Sequence, residues 1–198
     1  MYNQNMAHAF QKRERRKFTV EEYLHLEEAD ELRHELVDGE IFAMTGGSLN
    51  HNRIGGNLFS LLSERCSDKC EAFINDVRLH VQKHGLITYP DVLLVCGSLK
   101  SLPGHPDTLI DATLVAEVLS PSTERYDRSD KAGFYRALPG LTEQLLIAQE
   151  RVYIEHYTRQ GPNQWQFSEF TSLEDVLVLP SIELQISLKD LYARVDWE

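Results

Sequence analysis

The chain has 198 residues, 26% of them charged and 42% hydrophobic, a length and balance suited to one soluble domain with a sizeable core. Its 20 Lys and Arg stand against 31 Asp and Glu, and the net charge of -11 excludes a uniformly basic surface that would hold DNA by counterion release. No apolar run reaches the ~18 residues of a membrane span, and Met1-Tyr2-Asn3-Gln4-Asn5 lacks a signal peptide's apolar core, so a cytoplasmic protein is expected.

At the start, Lys12, Arg13, Arg15, Arg16 and Lys17 place five positive charges against one Glu in six positions. Residues 1-17 therefore read as a flexible basic arm ahead of a single domain over 18-198. Such an arm either lies along phosphates or is a solvated tail. Thr19 with Glu22 forms a capping box, so a helix begins there and ends near Asp30. A hairpin follows around Asp38-Gly39, a pair suited to a turn with positive φ, and Glu35 and Val37 share one face of its first strand. From Ser48, Ile54, Leu58, Leu61 and Leu62 recur at helical spacing, predicting a helix to about Lys69 whose Gly55-Gly56 pair packs closely on a sheet.

Val77, Leu79 and Val81 alternate with polar neighbours, the pattern of a half-buried strand that turns at His84-Gly85. The apolar run after Asp91 is the next strand. Ser, Pro and Gly between Gly97 and Asp111 predict a surface loop, and the Glu117 strand follows it. A helix is expected from about Ser129 to Leu138, then a strand at Leu145-Leu146-Ile147. A second hairpin turns at Gly161-Pro162-Asn163, with Tyr153 and Trp165 as packing residues, and Ser187 with Asp190 caps a last short helix. Cys66, Cys70 and Cys96 are odd in number and lack paired Cys-x-x-Cys spacing, so buried free thiols are expected.

Two carboxylates contradict their surroundings. Asp91 opens Val92-Leu93-Leu94-Val95, and Glu117 lies between Leu114-Val115-Ala116 and Val118-Leu119. An ionised acid in a buried strand is unfavourable unless compensated, and two brought together repel until a hard cation such as Mg2+ or Mn2+ turns repulsion into ligation. The bland alternative is that each acid caps a strand end or meets an Arg.

An acid at the start of one strand and another within the next resembles the PD-(D/E)XK nuclease superfamily. Within it the chain is most similar to the Uma-type putative restriction endonucleases, over about Phe18 to Leu191. The matching stretches are Glu35-Leu36-Val37-Asp38-Gly39-Glu40, His51 with Ile54, Tyr89-Pro90-Asp91-Val92, Glu117-Val118-Leu119-Ser120-Pro121-Ser122-Thr123, and Asp127-Arg128 with Lys131 and Tyr135. The resemblance implies an α/β, restriction-endonuclease-like core. Its order is helix-strand-strand-strand-helix-strand, a mixed sheet flanked by helices, with terminal hairpins added. It also implies a metal-dependent DNA endonuclease, acting on duplex DNA and working as a homodimer. Asp91, Glu117 and the Leu119 carbonyl would hold the metal.

Two departures stand out. Superfamily members place Lys two residues after the second acid, and here that position is Leu119; the resemblance assigns the missing ammonium to Lys131, with Tyr135 on the same helical face. The alternative is an exposed helix lysine beside Asp127 and Asp130, and on the surface Lys131→Ala would cost under about half a kcal/mol. Glu143-Gln144 replaces an aromatic pair, a difference expected to affect packing more than chemistry. Glu35 either adds a ligand or pairs with Arg33 or His34, and His51 either reaches the cleft or caps its helix. A non-catalytic scaffold on a decayed nuclease fold, or a hydrolase of other phosphoesters, remain the competing functions.

Overall fold

The turn at Asp38-Gly39 shows how local chemistry sets the first hairpin. Both residues have positive φ, +47° and +82°, the two-residue geometry whose twist matches a hairpin. It joins β1 (His34–Val37) to β2 (Glu40–Ala43). In the computed structural model, which describes residues 16-44 and 46-197, α1 (Val20–Ala29) precedes this hairpin behind the expected Thr19-Glu22 capping box. Most of the basic arm lies outside the described residues; of its charges, Arg16 pairs with Glu22 and Lys17 with Asp38.

α2 (Leu49–Arg65) carries Ile54, Leu58, Leu61 and Leu62 on its buried face. It ends four residues before the expected Lys69, because Cys66 turns extended. A Cβ at Gly55 or Gly56 would meet no atom within 4 Å, so the expected close approach there is absent. Next come β3 (Cys70–Ile74), β4 (Arg78–Val81), β5 (Leu86–Thr88), β6 (Val92–Cys96), β7 (Ser101–Leu102), β8 (His105–Leu109) and β9 (Leu114–Leu119). A helical crossover over 124-135 then leads to β10 (Glu143–Ala148), and β11 (Ile154–Gly161) pairs with β12 (Gln164–Phe170). A last hairpin, β13 (Val176–Leu179) with β14 (Leu184–Ser187), precedes α5 (Leu188–Leu191). The crossover comprises α3 (Glu124–Tyr126), a π-helical turn (Asp127–Lys131) and α4 (Ala132–Tyr135).

Two six-stranded sheets result, in the orders β2-β1-β5-β4-β8-β7 and β12-β11-β10-β9-β6-β3. In the second, β9 and β10 are parallel, as a helical crossover requires, and the other pairs are antiparallel, which makes the sheet mixed. The expected core order is present as α2-β3-β6-β9-crossover-β10. Its first strand is β3, not the 77-81 segment, which belongs to the other sheet. All four β4 residues are buried, so the expected half-buried alternation fails: the strand is covered on both faces. The expected loop over 97-111 contains the β7-β8 hairpin, turned at Gly104 with φ +85°, and β8 adds to β4 in parallel. The crossover helix starts five residues before the expected Ser129.

One core lies between the second sheet, α2, α5 and the β13-β14 hairpin; another lies between the two sheets and under the crossover. α1 covers the outer face of the first sheet through Tyr23 and Leu24. Cys70 and Cys96 are paired across β3 and β6 as a disulfide, which corrects the expectation of three free thiols; Cys66 alone is free. Among the described residues no helix is long and apolar enough to cross a membrane.

Candidate active site

Four separate segments bring acids together at one end of the second sheet. Glu117 stands within β9, every residue of which is buried. Asp91 immediately precedes β6, and the register Val92 to Ala116 brings it alongside β9, where the Val118 N–H donates to its Oδ2 at 2.7 Å. Glu35 arrives from β1 of the other sheet, and Asp127 from the π-helical turn.

Lys131 closes the cluster. Its Nζ lies 2.9 Å from Glu35 Oε1, 3.1 Å from Glu117 Oε1 and 3.7 Å from Asp127 Oδ1, and the residue is only 5% exposed. The Tyr135 hydroxyl donates to Glu117 Oε1, and the Thr88 hydroxyl to Glu35 Oε1. The π-helical turn sets Asp127 and Lys131 on the same side of the crossover, and such turns recur where side chains must be re-aimed.

His51 enters from the first turn of α2. Its Nε2 is 3.2 Å from Asp91 Oδ2, and its backbone N–H donates to the capping Ser48 hydroxyl, which in turn donates to Gln149. A Cβ at Gly47 would lie 2.6 Å from His51 Nδ1, so glycine there leaves room for the imidazole.

Four carboxylates thus share one ammonium and one imidazole. Burial pushes the Glu117 carboxyl up to about 8; Lys131 opposes that shift, while the charges of Asp91 and Asp127 add to it. Burial likewise raises Asp127 against the pull of Lys131. For Lys131 burial disfavours the charge, yet Glu117, Tyr135, Glu35 and Asp127 outweigh it and hold the ammonium well above the usual lysine range. His51 behaves similarly: burial lowers it, but the hydrogen bond and charge of Asp91 raise it overall. The cluster holds more negative charge than its own cations balance, and that donor set suits a hard divalent cation. Among the described residues no three His, Cys, Asp or Glu side chains form a ready-made metal cage, so water, backbone or substrate oxygens would complete any shell.

The acids line a cavity of about 660 Å³, together with Lys131, His51, Tyr126, Gln149 and the Ser120-Thr123 turn. Of the residues singled out from sequence, Asp91, Glu117, Lys131, Glu35, His51 and Tyr135 come together here. Leu119 is buried and is not part of the cavity lining. Glu35 pairs neither with Arg33, which meets Asp76, nor with His34, which meets Glu27. Lys131 is not a surface lysine. Asp127, expected only as part of the matching stretch and a neighbour of Lys131, joins the cluster through its i, i+4 pairing with that lysine. Thr88 and Gln149 gave no sequence signal, because partners on distant elements bring them in.

The profile of the Uma2 putative restriction endonuclease family matches residues 20-189. The chain belongs to this family. An uncharacterized protein of Synechocystis sp., sll1609, is 38% identical over 152 residues, covering 76% of this chain and 86% of that one. A second from the same organism, slr1290, is 34% identical over 177 residues, covering 89% and 92%. A crystal structure of a putative nuclease belonging to DUF820 from Anabaena variabilis has a TM-score of 0.73 at 22% identity, covering 89% of this chain and 98% of the other. That likeness extends to the fold, which is the restriction-endonuclease-like architecture.

Proposed function

We propose that this Uma2-family protein is a metal-dependent endonuclease that hydrolyses DNA phosphodiester bonds in the acid-lined cavity. The observation that carries the reading is the Lys131 ammonium held within 4 Å of Glu35, Glu117 and Asp127, beside Asp91, in a cavity open to a ligand. Asp91 and Glu117 would hold Mg2+ or Mn2+, which supplies polarisation of the scissile phosphate and acidification of a water.

The remaining work falls to the chain itself. Lys131 offers a fixed positive charge toward the negative charge that grows on the phosphate oxygens, in a site where burial strengthens it. Glu35, itself held by the Thr88 hydroxyl, keeps that ammonium in place from the other sheet, and Tyr135 fixes the Glu117 carboxylate. His51, kept charged more readily than a free imidazole, braces Asp91.

Purified protein incubated with supercoiled plasmid and Mn2+ is expected to yield nicked circles, with EDTA as control. A parallel calorimetric titration is expected to show one Mn2+ bound, with the heat lost in Asp91→Ala. No conversion at any salt or metal concentration would favour the scaffold reading.

A further inference from the structure

The crossover reaches β11 through its arginines, Arg128 pairing with the buried Glu155 and Arg136 lying over Tyr157, and β12 beyond is more open. On this face Tyr153, Glu155 and Tyr157 point the same way, since both tyrosine hydroxyls donate to Glu155. Cations sit over the rings. Arg128 and Arg151 flank Tyr153, with their guanidinium carbons 5.5 and 5.0 Å from the ring centroid. Arg136 lies 5.5 Å over Tyr157, which also packs on the cross-strand Phe167 at 5.1 Å. Phe167 is 48% exposed.

This row begins at the cavity. Gln149 lines the cavity and immediately precedes the turn that carries Arg151, and Arg128 sits between the cavity-lining Asp127 and Lys131. Tyr153 and Tyr157 are four residues apart, ~13.6 Å along the chain, a step on the scale of two splayed nucleotides. Aromatic faces interleaved with planar guanidinium groups are the chemistry that binds unpaired bases without reading sequence. A duplex, whose bases are hidden, would instead need a dense phosphate-neutralising surface, which a chain of net charge -11 is poorly placed to offer.

We infer that the Arg-aromatic face of β11 and β12 binds an unpaired nucleic-acid strand and leads it into the acid cavity. The direction of travel rests on the endonuclease reading; the binding itself does not. It narrows the substrate from the duplex suggested by family resemblance to a single-stranded or frayed segment.

Anisotropy of a fluorescein-labelled oligothymidylate, titrated with full-length protein in EDTA, tests it. Wild type is expected to bind that strand more tightly than its duplex with oligoadenylate. Arg151→Ala/Phe167→Ala is expected to weaken binding about tenfold or more, and Phe167→Tyr to keep it, because a tyrosine still stacks. The titration in EDTA needs no metal at Asp91 and Glu117. Loss of cleavage chemistry alone would thus leave these binding results standing, whereas failure of the track would leave plasmid nicking intact. Unchanged affinity in the folded double variant overturns the inference, as does equal or better duplex binding. A fall in oligomeric mass on the same substitutions would also overturn it, marking the face as an interface between copies of the chain.

Discussion

Glu117 and Glu143 are both buried, on the adjacent strands β9 and β10, yet their surroundings differ in kind. Glu143 is fully matched: His156 Nε2 lies 2.6 Å from Oε2, while the Ser181 N–H donates to Oε1 at 2.8 Å and its hydroxyl donates to the same atom. Those partners tie the turn after β13 down to the sheet, and Glu143 is no part of the cavity lining. Glu117 shares one ammonium with Glu35 and Asp127 and faces that cavity, with Asp91 close enough to add its charge. A buried acid whose partners complete it is a fastening; a buried acid left with surplus negative charge is primed for a cation or a proton. The register separates them by three residues, Glu143 opposing Leu114 and Leu146 opposing Glu117, roughly 10 Å along the sheet.

The sharpest way to break this contrast is to remove charge from each side. Asp91→Asn and Glu117→Gln are expected to lower plasmid nicking by about a hundredfold or more, the scale of losing a preorganised electrostatic group. Lys131→Ala should also abolish nicking. It should cost about 3-5 kcal/mol of stability by urea titration as well, because it strands buried carboxylates, not the half kcal/mol of a surface lysine. Pairing Lys131→Met with Glu117→Gln should return part of that stability but no activity, a coupling that a double-mutant cycle reads directly. Full nicking in Lys131→Ala would end the proposed role.

On the other side, Glu143→Gln is expected to cost about 2-3 kcal/mol, the scale of a charged buried hydrogen bond, while nicking per folded molecule stays unchanged. A large loss of activity there would dissolve the distinction between fastening and functional acid. Gly47→Ala should be milder. The new Cβ would press on the His51 ring and, at the one to three kcal/mol typical of overpacking, shift the imidazole off Asp91. Calorimetric Mn2+ titration checks it, with weakened binding expected.

Asp91 and Glu117 were legible because a charged residue in a Val and Leu run violates burial, and that violation needs no alignment to see. The Asp38-Gly39 turn and the Thr19-Glu22 cap were legible because their chemistry is local. Lys131's burial was not, since the three acids around it come from β1, β9 and the crossover, and no spacing along the chain records that convergence. β8 reads as loop because His105-Pro106-Asp107-Thr108 is polar, and only its partner β4 makes it a strand. β3 and the β13-β14 hairpin are illegible in the sequence for a similar reason: Cys70–Ile74 shows no clean alternation, and Val176-Leu177-Val178-Leu179 is apolar throughout, although only Leu177 and Leu179 are buried. The Cys70-Cys96 disulfide depends on a pairing across strands 26 residues apart that cysteine spacing does not reveal.

The smallest expected effect tests the same contrast in a third place, under α1. His80 on β4 is 6% exposed, and its Nδ1 has no hydrogen-bond partner, so burial without compensation lowers its proton affinity below the ordinary 6.5. Among the described residues no carboxylate hydrogen-bonds to it, and two residues away on the same strand Arg78 is already paired with Asp107. The unfolded chain therefore takes up a proton at His80 before the folded one does. Stability from this residue is fully present above pH 6.5 and declines as pH falls through that value toward the lowered folded one. Urea titrations from pH 7.5 to about 5 should then show the stability of wild type relative to His80→Gln falling toward acid, while the raised His51, Glu117 and Asp127 impose an opposite slope on both proteins. A difference between the two proteins that does not change with pH would show that His80 is not the carrier, and a difference that grows toward acid would show that the buried ring gains a partner on protonation.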